Sequence, residues 1–379
     1  LRPAGENGPH ANDPSTLRPR RMQDWRAKFR APCTESTLSN DPFMALSAAQ
    51  REAVHSALAA AFGTASVTAV TSLAGGISGA AVFRFETGGR RYVVRVEGIP
   101  SPLRNPHQYT CLRMAADAGL APRLHHVDES ARVVVMDFVE RRPLLTYAGG
   151  KLAVVQALGQ LLARLQAGPK FPCFVDYPDI VTRLFNHVRR TGLFAPGQLD
   201  LCAERMSRLA ETYAAAPLGH VSSHNDPVPQ NILFDGVRLW LIDWESAYRN
   251  DPLIDVAILL DGVARSPELE AALLQAWHGR KPDDGVLARL TLIRALVRLY
   301  YTGVMLSAAA AADRHAMPDA DLSAPALATF RQAVQAGRLA PGSRESFLVR
   351  GKMFLSSFLA GSETPGFDDT LTFSDLNKS

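Results

Sequence analysis

The chain has 379 residues, 47% of them apolar and 21% charged, an ordinary globular composition with enough length for two substantial cores. A formal net charge of +4 is too small to make nucleic acid the expected partner. Four scattered cysteines (Cys33, Cys111, Cys173 and Cys202), with no C-x-x-C spacing, argue against a disulfide framework or structural zinc and suit a reducing compartment.

Residues 1–43 are rich in Pro, Arg, Asn and Ser and show neither a helical nor a strand period, so a disordered arm is expected there. They also lack the basic-then-apolar pattern of a secretory signal. After Ser47, A-A-Q-R-E-A-V-H-S-A-L-A-A-A-F has the spacing of an amphipathic helix. Val67 to Leu73 reads as a strand, followed by the loop L-A-G-G-I-S-G-A-A. Val82–Thr87 and Arg91–Val96 read as two strands joined at Gly88-Gly89. Pro106 to Gly119 has helical spacing, and Arg132–Val139 is a strand ending at Glu140-Arg141-Arg142-Pro143. Beyond this polar stretch the pattern turns helical, over Lys151–Leu165, Ile180–Arg190, Leu199–Ala216 and again from Ile254. The longest uncharged apolar run, Leu299 to Ala312, is shorter than the ~20 residues of a membrane span, so a cytoplasmic protein is expected. The expected fold is α+β and bilobal. An N-terminal antiparallel-sheet lobe covers residues 44–140, a mainly helical lobe 141–360 and a tail 361–379.

One segment interrupts the helices. Ser223 to Ala247 reads S-H-N-D-P-V-P-Q-N-I-L-F-D-G-V-R-L-W-L-I-D-W-E-S-A. Ile232–Phe234 and Arg238–Ile242 flank Asp235-Gly236, a favoured two-residue hairpin turn, which would carry Asp243 back beside Asn231. An amide and a carboxylate at one sheet edge suit Mg²⁺, which takes few protein oxygens and completes its shell with water and phosphate. Zinc would want Cys or His at ligand spacing, and none is there. Asp226, in a loop stiffened by Pro227 and Pro229, can align or deprotonate a substrate hydroxyl. His-x-Asp-x4-Asn followed by a second Asp is a base plus two metal ligands, the set that phosphoryl transfer requires.

The segment resembles the catalytic loop and metal motif of the aminoglycoside phosphotransferase and choline kinase superfamily, whose fold is similar to that of protein kinases. The family pattern His-x-Asp-x4-Asn, then Ile-Asp-Trp/Phe-Glu, is met by His224, Asp226, Asn231, Ile242, Asp243, Trp244 and Glu245. Asp251 to Ala257, D-P-L-I-D-V-A, matches as well, with Asp255 expected to buttress the catalytic loop from a helix start. The resemblance spans residues 48 to 310. It implies a kinase-like fold that uses ATP and Mg²⁺, with His224, Asp226 and Glu245 in the catalytic group and Asn231 and Asp243 on the metal. The nucleotide would be held by Gly75, Gly76 and Ser78 of the glycine-rich loop, by Arg95, and by the hinge backbone at Asp137, Phe138 and Val139. Where the family usually carries Glu, this chain has Gln108, expected to hold Arg95 by a hydrogen bond.

Asp243-Trp244-Glu245 favours the choline, ethanolamine and thiamine kinase branch of that superfamily. From Glu211 to Asp284, twelve acidic residues stand against five Lys or Arg, a balance that would attract a cationic alcohol. Trp244, Tyr248, Trp277, Tyr300 and Tyr301 are candidates for an aromatic cage around such a cation. The implied activity is transfer of the γ-phosphate of ATP to a hydroxyl of a small cationic acceptor. An aminoglycoside or macrolide antibiotic kinase is the alternative within the class, and a pseudokinase-type nucleotide-binding module the alternative outside it.

Overall fold

Period-two burial builds the first layer. In β3 (Arg90–Val96), Tyr92, Val94 and Val96 are buried, and the residues between them face the other way. It lies at the centre of a five-stranded antiparallel sheet with β1 (Thr68–Leu73), β2 (Ala81–Thr87), β4 (Leu124–Asp128) and β5 (Val133–Asp137), in the order β1-β2-β3-β5-β4. Helix α1 (Ala48–Phe62) begins at a Ser47–Gln50 capping box and packs Val54, Ala57 and Leu58 against Phe83, Phe85, Val94 and Val135. Phe43, assigned by composition to the arm, is fully buried and meets the Phe83 ring edge-on at 5.3 Å, so this core starts earlier than expected. The computed structural model describes residues 41–73, 79–98, 104–215, 219–313, 317–319, 321–363 and 367. The expected arm up to residue 40 and the tail beyond 367 lie outside them.

Helix α2 (Gln108–Asp117) precedes β4, and the rest of the chain is mainly helical: α3 (Gly150–Ala167), α4 (Tyr177–Arg190), α5 (Asp200–Ala215), α6 (Leu253–Gly262), α7 (Pro267–His278), α8 (Asp284–Ala312), α9 (Leu327–Gln335) and α10 (Arg344–Ser362). α8 is the axis of this part, packed against α4, α6 and α10. Glycines set two of these crossings: a Cβ on Gly303 would stand 2.7 Å from Leu184 Cβ, and one on Gly351 2.5 Å from Leu306 Cδ2. Among the described residues, α8 is the one helix long and apolar enough to cross a bilayer, and half of its apolar window is buried inside the protein.

Two short antiparallel pairs shape the remaining segment, β6 (Val221–Ser223) with β9 (Tyr248–Asn250) and β7 (Ile232–Phe234) with β8 (Leu239–Leu241). The β7–β8 register corrects the expected two-residue turn. Phe234 pairs with Leu239, so four residues, Asp235 to Arg238, form the loop. The Asp235 carboxylate is the reason: Oδ1 accepts from the Val237 and Arg238 backbone N–H groups and Oδ2 from the Trp240 indole, which closes a wider turn.

Candidate active site

The wider turn still returns the chain to the expected place. Ile232 pairs with Leu241, and the Ile242 N–H donates to the Asn231 carbonyl at 2.9 Å, so Asp243 follows directly after the residue opposite Asn231. Asp243 has φ +66°, a left-handed conformation that Asp tolerates better than most residues. At the other end of the motif, the buried Asp255 of α6 accepts the His224 N–H at 2.8 Å and the Asn225 N–H at 2.7 Å. These bonds fasten the start of the loop between β6 and β7 to α6. Burial pushes the Asp255 carboxyl up to about 6 in spite of them.

Asp226 is held at both oxygens. The Tyr301 hydroxyl donates to Oδ1 at 2.6 Å, and the Asn231 side-chain amide donates to Oδ2 at 2.9 Å and to the Asp226 carbonyl at 3.0 Å. Burial raises its carboxyl to about 7, with Asp243 and Glu245 adding to the rise and the Tyr301 and Asn231 bonds opposing it. His224 differs from the expected catalytic group. It is wholly buried, its Nε2 lies 2.9 Å from the Ile242 carbonyl, and burial lowers its pKa to about 4. A neutral imidazole enclosed this way ties the loop to β8 and has no path to a substrate proton.

Arg95 projects from the central strand to the end of the hairpin. Its guanidinium pairs with Asp243 at 2.6 Å and with Glu245 at 2.7 Å. Burial would lower its pKa, but the two carboxylates outweigh that and raise it. Gln108 therefore does not hold Arg95, contrary to the expectation. Its amide donates to Glu97 at 2.8 and 3.1 Å. Glu97, the residue after β3, also accepts from the Tyr109 hydroxyl at 2.7 Å and pairs with Arg104. Glu97 was not singled out in the sequence because a single acidic residue ending a strand carries no pattern.

The remaining expected nucleotide residues divide three ways. Gly75, Gly76 and Ser78 lie outside the described residues. The Asp137 and Phe138 N–H groups are engaged by the Arg123 and Arg91 carbonyls at 2.9 and 3.2 Å. Val139 is half-buried, and no partner is recorded for its N–H among the described residues.

The aromatic cage is corrected in part. Trp244 is a core residue, 3% exposed, edge-on to Phe171 and donating its indole N–H to the Leu241 carbonyl. Tyr301 turns its hydroxyl to Asp226. Tyr248 and Tyr300 do line a cavity of about 210 Å³, with Tyr177, Phe174, Glu97 and Glu245. The acidic excess does not form an open face. Asp251 pairs with Arg289, Asp255 caps backbone, and Asp261 and Glu270 pair with Arg294.

The backbone bond from Ile242 to Asn231 brings Asp243 to the same end of the hairpin as Asn231, where an amide oxygen and a carboxylate are candidate metal ligands. No group of three His, Cys, Asp or Glu fit for a metal occurs among the described residues. So sparse an oxygen set fits Mg²⁺, which is bound through one or two protein ligands and substrate phosphates, and does not fit zinc.

A family model described as a phosphotransferase enzyme family matches residues 69–290, more than half of the chain. Among curated proteins, LicA of Haemophilus influenzae is 43% identical over 54 residues, 14% of this chain and 20% of LicA. The match thus spans about a fifth of that relative's length. A choline/ethanolamine kinase family protein from Mesorhizobium loti is similar in structure, with a TM-score of 0.64 and 20% identity over 86% of this chain and 99% of its own. The choline kinase LicA from Streptococcus pneumoniae has a TM-score of 0.57 and 16% identity over 78% of this chain and 94% of its own. A LicA structure in complex with AMP is similar at a TM-score of 0.54, with 16% identity over 77% of this chain and 92% of its own. At these identities the likeness to solved structures is one of fold: an antiparallel sheet and a helical part arranged as in choline kinases.

Proposed function

Because the chain belongs to the phosphotransferase enzyme family, we propose that it transfers the γ-phosphate of ATP to a hydroxyl of a small molecule, with Asp226 taking the hydroxyl proton. The observation that carries this reading is the clamped Asp226 carboxylate, oriented by Tyr301 and Asn231 and raised to about 7 by burial, next to the Asn231–Asp243 pair. A base with its pKa near the operating pH combines availability with driving force.

In the reaction, the acceptor oxygen bonds to the γ-phosphorus as the bond from that phosphorus to the β–γ bridging oxygen breaks. The acceptor proton passes to Asp226, and ADP leaves with the electron pair. Asn231 would offer its carbonyl oxygen and Asp243 its carboxylate to Mg²⁺, because the Asn231 amide nitrogen is already committed to Asp226. Bound there, the ion supplies neutralisation of charge on the phosphate oxygens. Arg95, in contact with Asp243 and Glu245, is assigned to the phosphates, and Glu245 to holding Arg95 in place. The AMP complex of LicA supports an adenine nucleotide as donor. The Val139 backbone is the hinge group assigned to the base.

LicA of Streptococcus pneumoniae and the Mesorhizobium protein are named for choline and ethanolamine, so amino alcohols are the reference acceptors. The test is incubation with Mg²⁺–ATP and an acceptor panel, followed by mass spectrometry. A product heavier by one phosphoryl group, formed with equimolar ADP, is expected. ATP consumed with only inorganic phosphate released would contradict the reading.

A further inference from the structure

A second cavity, of about 1810 Å³, opens beside the catalytic loop. Val228 and Pro229 of the loop line it, as does Tyr301, the residue bonded to Asp226. The smaller tyrosine-lined cavity does not include Tyr301. The larger cavity thus reaches Asp226 through Tyr301, whose hydroxyl holds its Oδ1.

Its charges do not balance. Arg265, Lys281, Arg294, Arg298, Arg331 and Arg350 line it against only Asp261 and Glu270. Both carboxylates are already engaged: Arg294 pairs with Asp261 at 3.0 Å and Glu270 at 2.8 Å, and Arg298 pairs with Asp261 at 3.2 Å. Arg265 donates to the Asp261 backbone carbonyl at 3.3 Å, and the Asp261 charge acts on it as well. Among the described residues, no carboxylate within ion-pair distance is recorded for Lys281, Arg331 or Arg350. Arg350 is half-buried on α10, where burial lowers its pKa and the charge of the nearby Asp226 opposes that fall. Arg331 is exposed on α9 and close enough to Arg265 to lower its pKa, second to burial. A half-buried guanidinium with no ion pair in contact is unfavourable, and like charges around one opening make it more so. An anion entering the cavity relieves both, and a guanidinium offers a carboxylate or phosphate two parallel hydrogen bonds.

We propose that this cavity receives the acceptor, and that Arg350, with Arg331 and Arg265 at the rim, binds an anionic group of it, a carboxylate or phosphate, while its hydroxyl faces Asp226. The proposal rests on the kinase reading for the hydroxyl and on the cavity alone for the anion. It separates this chain from acceptors that carry only an ammonium group.

Two measurements test it. The first is binding of glycerol 3-phosphate and of glycolate by calorimetry without nucleotide. At least one is expected to bind the wild type and to lose about tenfold or more in affinity in R350Q, with R350K retaining most of it. R331Q, at an exposed position, is expected to weaken it less. The second is ADP release with Mg²⁺–ATP, comparing glycolate with ethanolamine, a pair of similar size and opposite charge, and glycerol 3-phosphate with choline. An anionic alcohol is expected to exceed its cationic counterpart about tenfold in kcat/KM, and R350Q to remove that preference through KM. A carboxylate-only or phosphate-only response identifies which anion the site takes. Binding of neither anion to the wild type, binding unchanged in R350Q, or preference for choline or ethanolamine would overturn the proposal. Anion binding that R350Q abolishes, with no ADP released from any acceptor, would instead support the anion site and reject the kinase reading.

Discussion

The Tyr301 hydroxyl, on α8, donates a 2.6 Å hydrogen bond to Oδ1 of Asp226 in the loop between β6 and β7. It fixes the carboxylate from the helical side while Asn231 fixes it from the hairpin side. Tyr301 is a positioning residue in this account. Y301F removes one charge-assisted bond, so kcat is expected to fall about tenfold with the KM for ATP unchanged. Steady-state kinetics over ATP concentration check this. An effect on the KM for ATP with kcat preserved would place Tyr301 on the nucleotide.

Arg95 balances Asp243 and Glu245, and R95M leaves those neighbouring carboxylates without the cation in contact with both, Arg104 acting on Glu245 alone. Partial exposure moderates the effect, and a loss on the order of 2 kcal/mol in stability is expected. Millimolar Mg²⁺ should recover more of the melting temperature in R95M than in the wild type, because the freed carboxylates then bind the ion. Equal Mg²⁺ responses in a thermal melt would show that Asp243 and Glu245 are not available to it.

His224 is buried and neutral, its pKa lowered from 6.5 to about 4. The unfolded chain binds the proton more readily, so this contribution is fully present above 6.5 and is lost as pH falls through about 4. Its size is on the order of 3 kcal/mol. Asp255 acts in the opposite sense: raised from 3.8 to about 6, it contributes stability below 3.8 that is lost as pH rises through about 6. The difference between wild type and H224Q isolates the histidine, since glutamine can still donate to the Ile242 carbonyl. Urea melts should find the destabilisation by H224Q shrinking between pH 7 and pH 4. Parallel curves would mean that His224 does not titrate with this shift.

Gly159 marks the crossing of α3 and α7, where an added Cβ would stand 2.6 Å from the Leu273 carbonyl oxygen and 2.9 Å from the Trp277 nitrogen. Backbone cannot move aside as a side chain can. G159A is expected to cost about 1–3 kcal/mol in a denaturant melt, whereas G219A, where an added Cβ meets nothing within 4 Å, should cost far less. Similar values for the two variants would contradict the packing described.

The legible parts of this fold are those with a repeating pattern. Alternation located β1, β2, β3 and β5 to within a few residues, and helical spacing located α1 and α3 to α5. β4 was missed because L-H-H-V-D has two histidines where alternation needs contrast; His125 instead lies 2.7 Å from Asp137 on the neighbouring strand. β6 and β9 are three residues each, too short for any period. Motif spacing placed the backbone of Asn231 beside that of Ile242 even though the turn is longer than expected, because Asp235 closes it with its side chain. Partners separated by long stretches were not legible: Arg95 and Asp243 are 148 positions apart. Charge counted along the chain misled for the same reason. Asp243, Glu245, Asp251, Asp261 and Glu270 are held by arginines, and Arg331 and Arg350, which face the large cavity with no ion pair among the described residues, come from α9 and α10.

The most direct test of the central claim is the rate of acceptor-dependent ADP release by D226N, beside its affinity for Mg²⁺–ATP. The account predicts a loss of about 10²-fold or more in turnover with nucleotide affinity nearly intact. Turnover equal to wild type in a folded, nucleotide-binding D226N protein would contradict it.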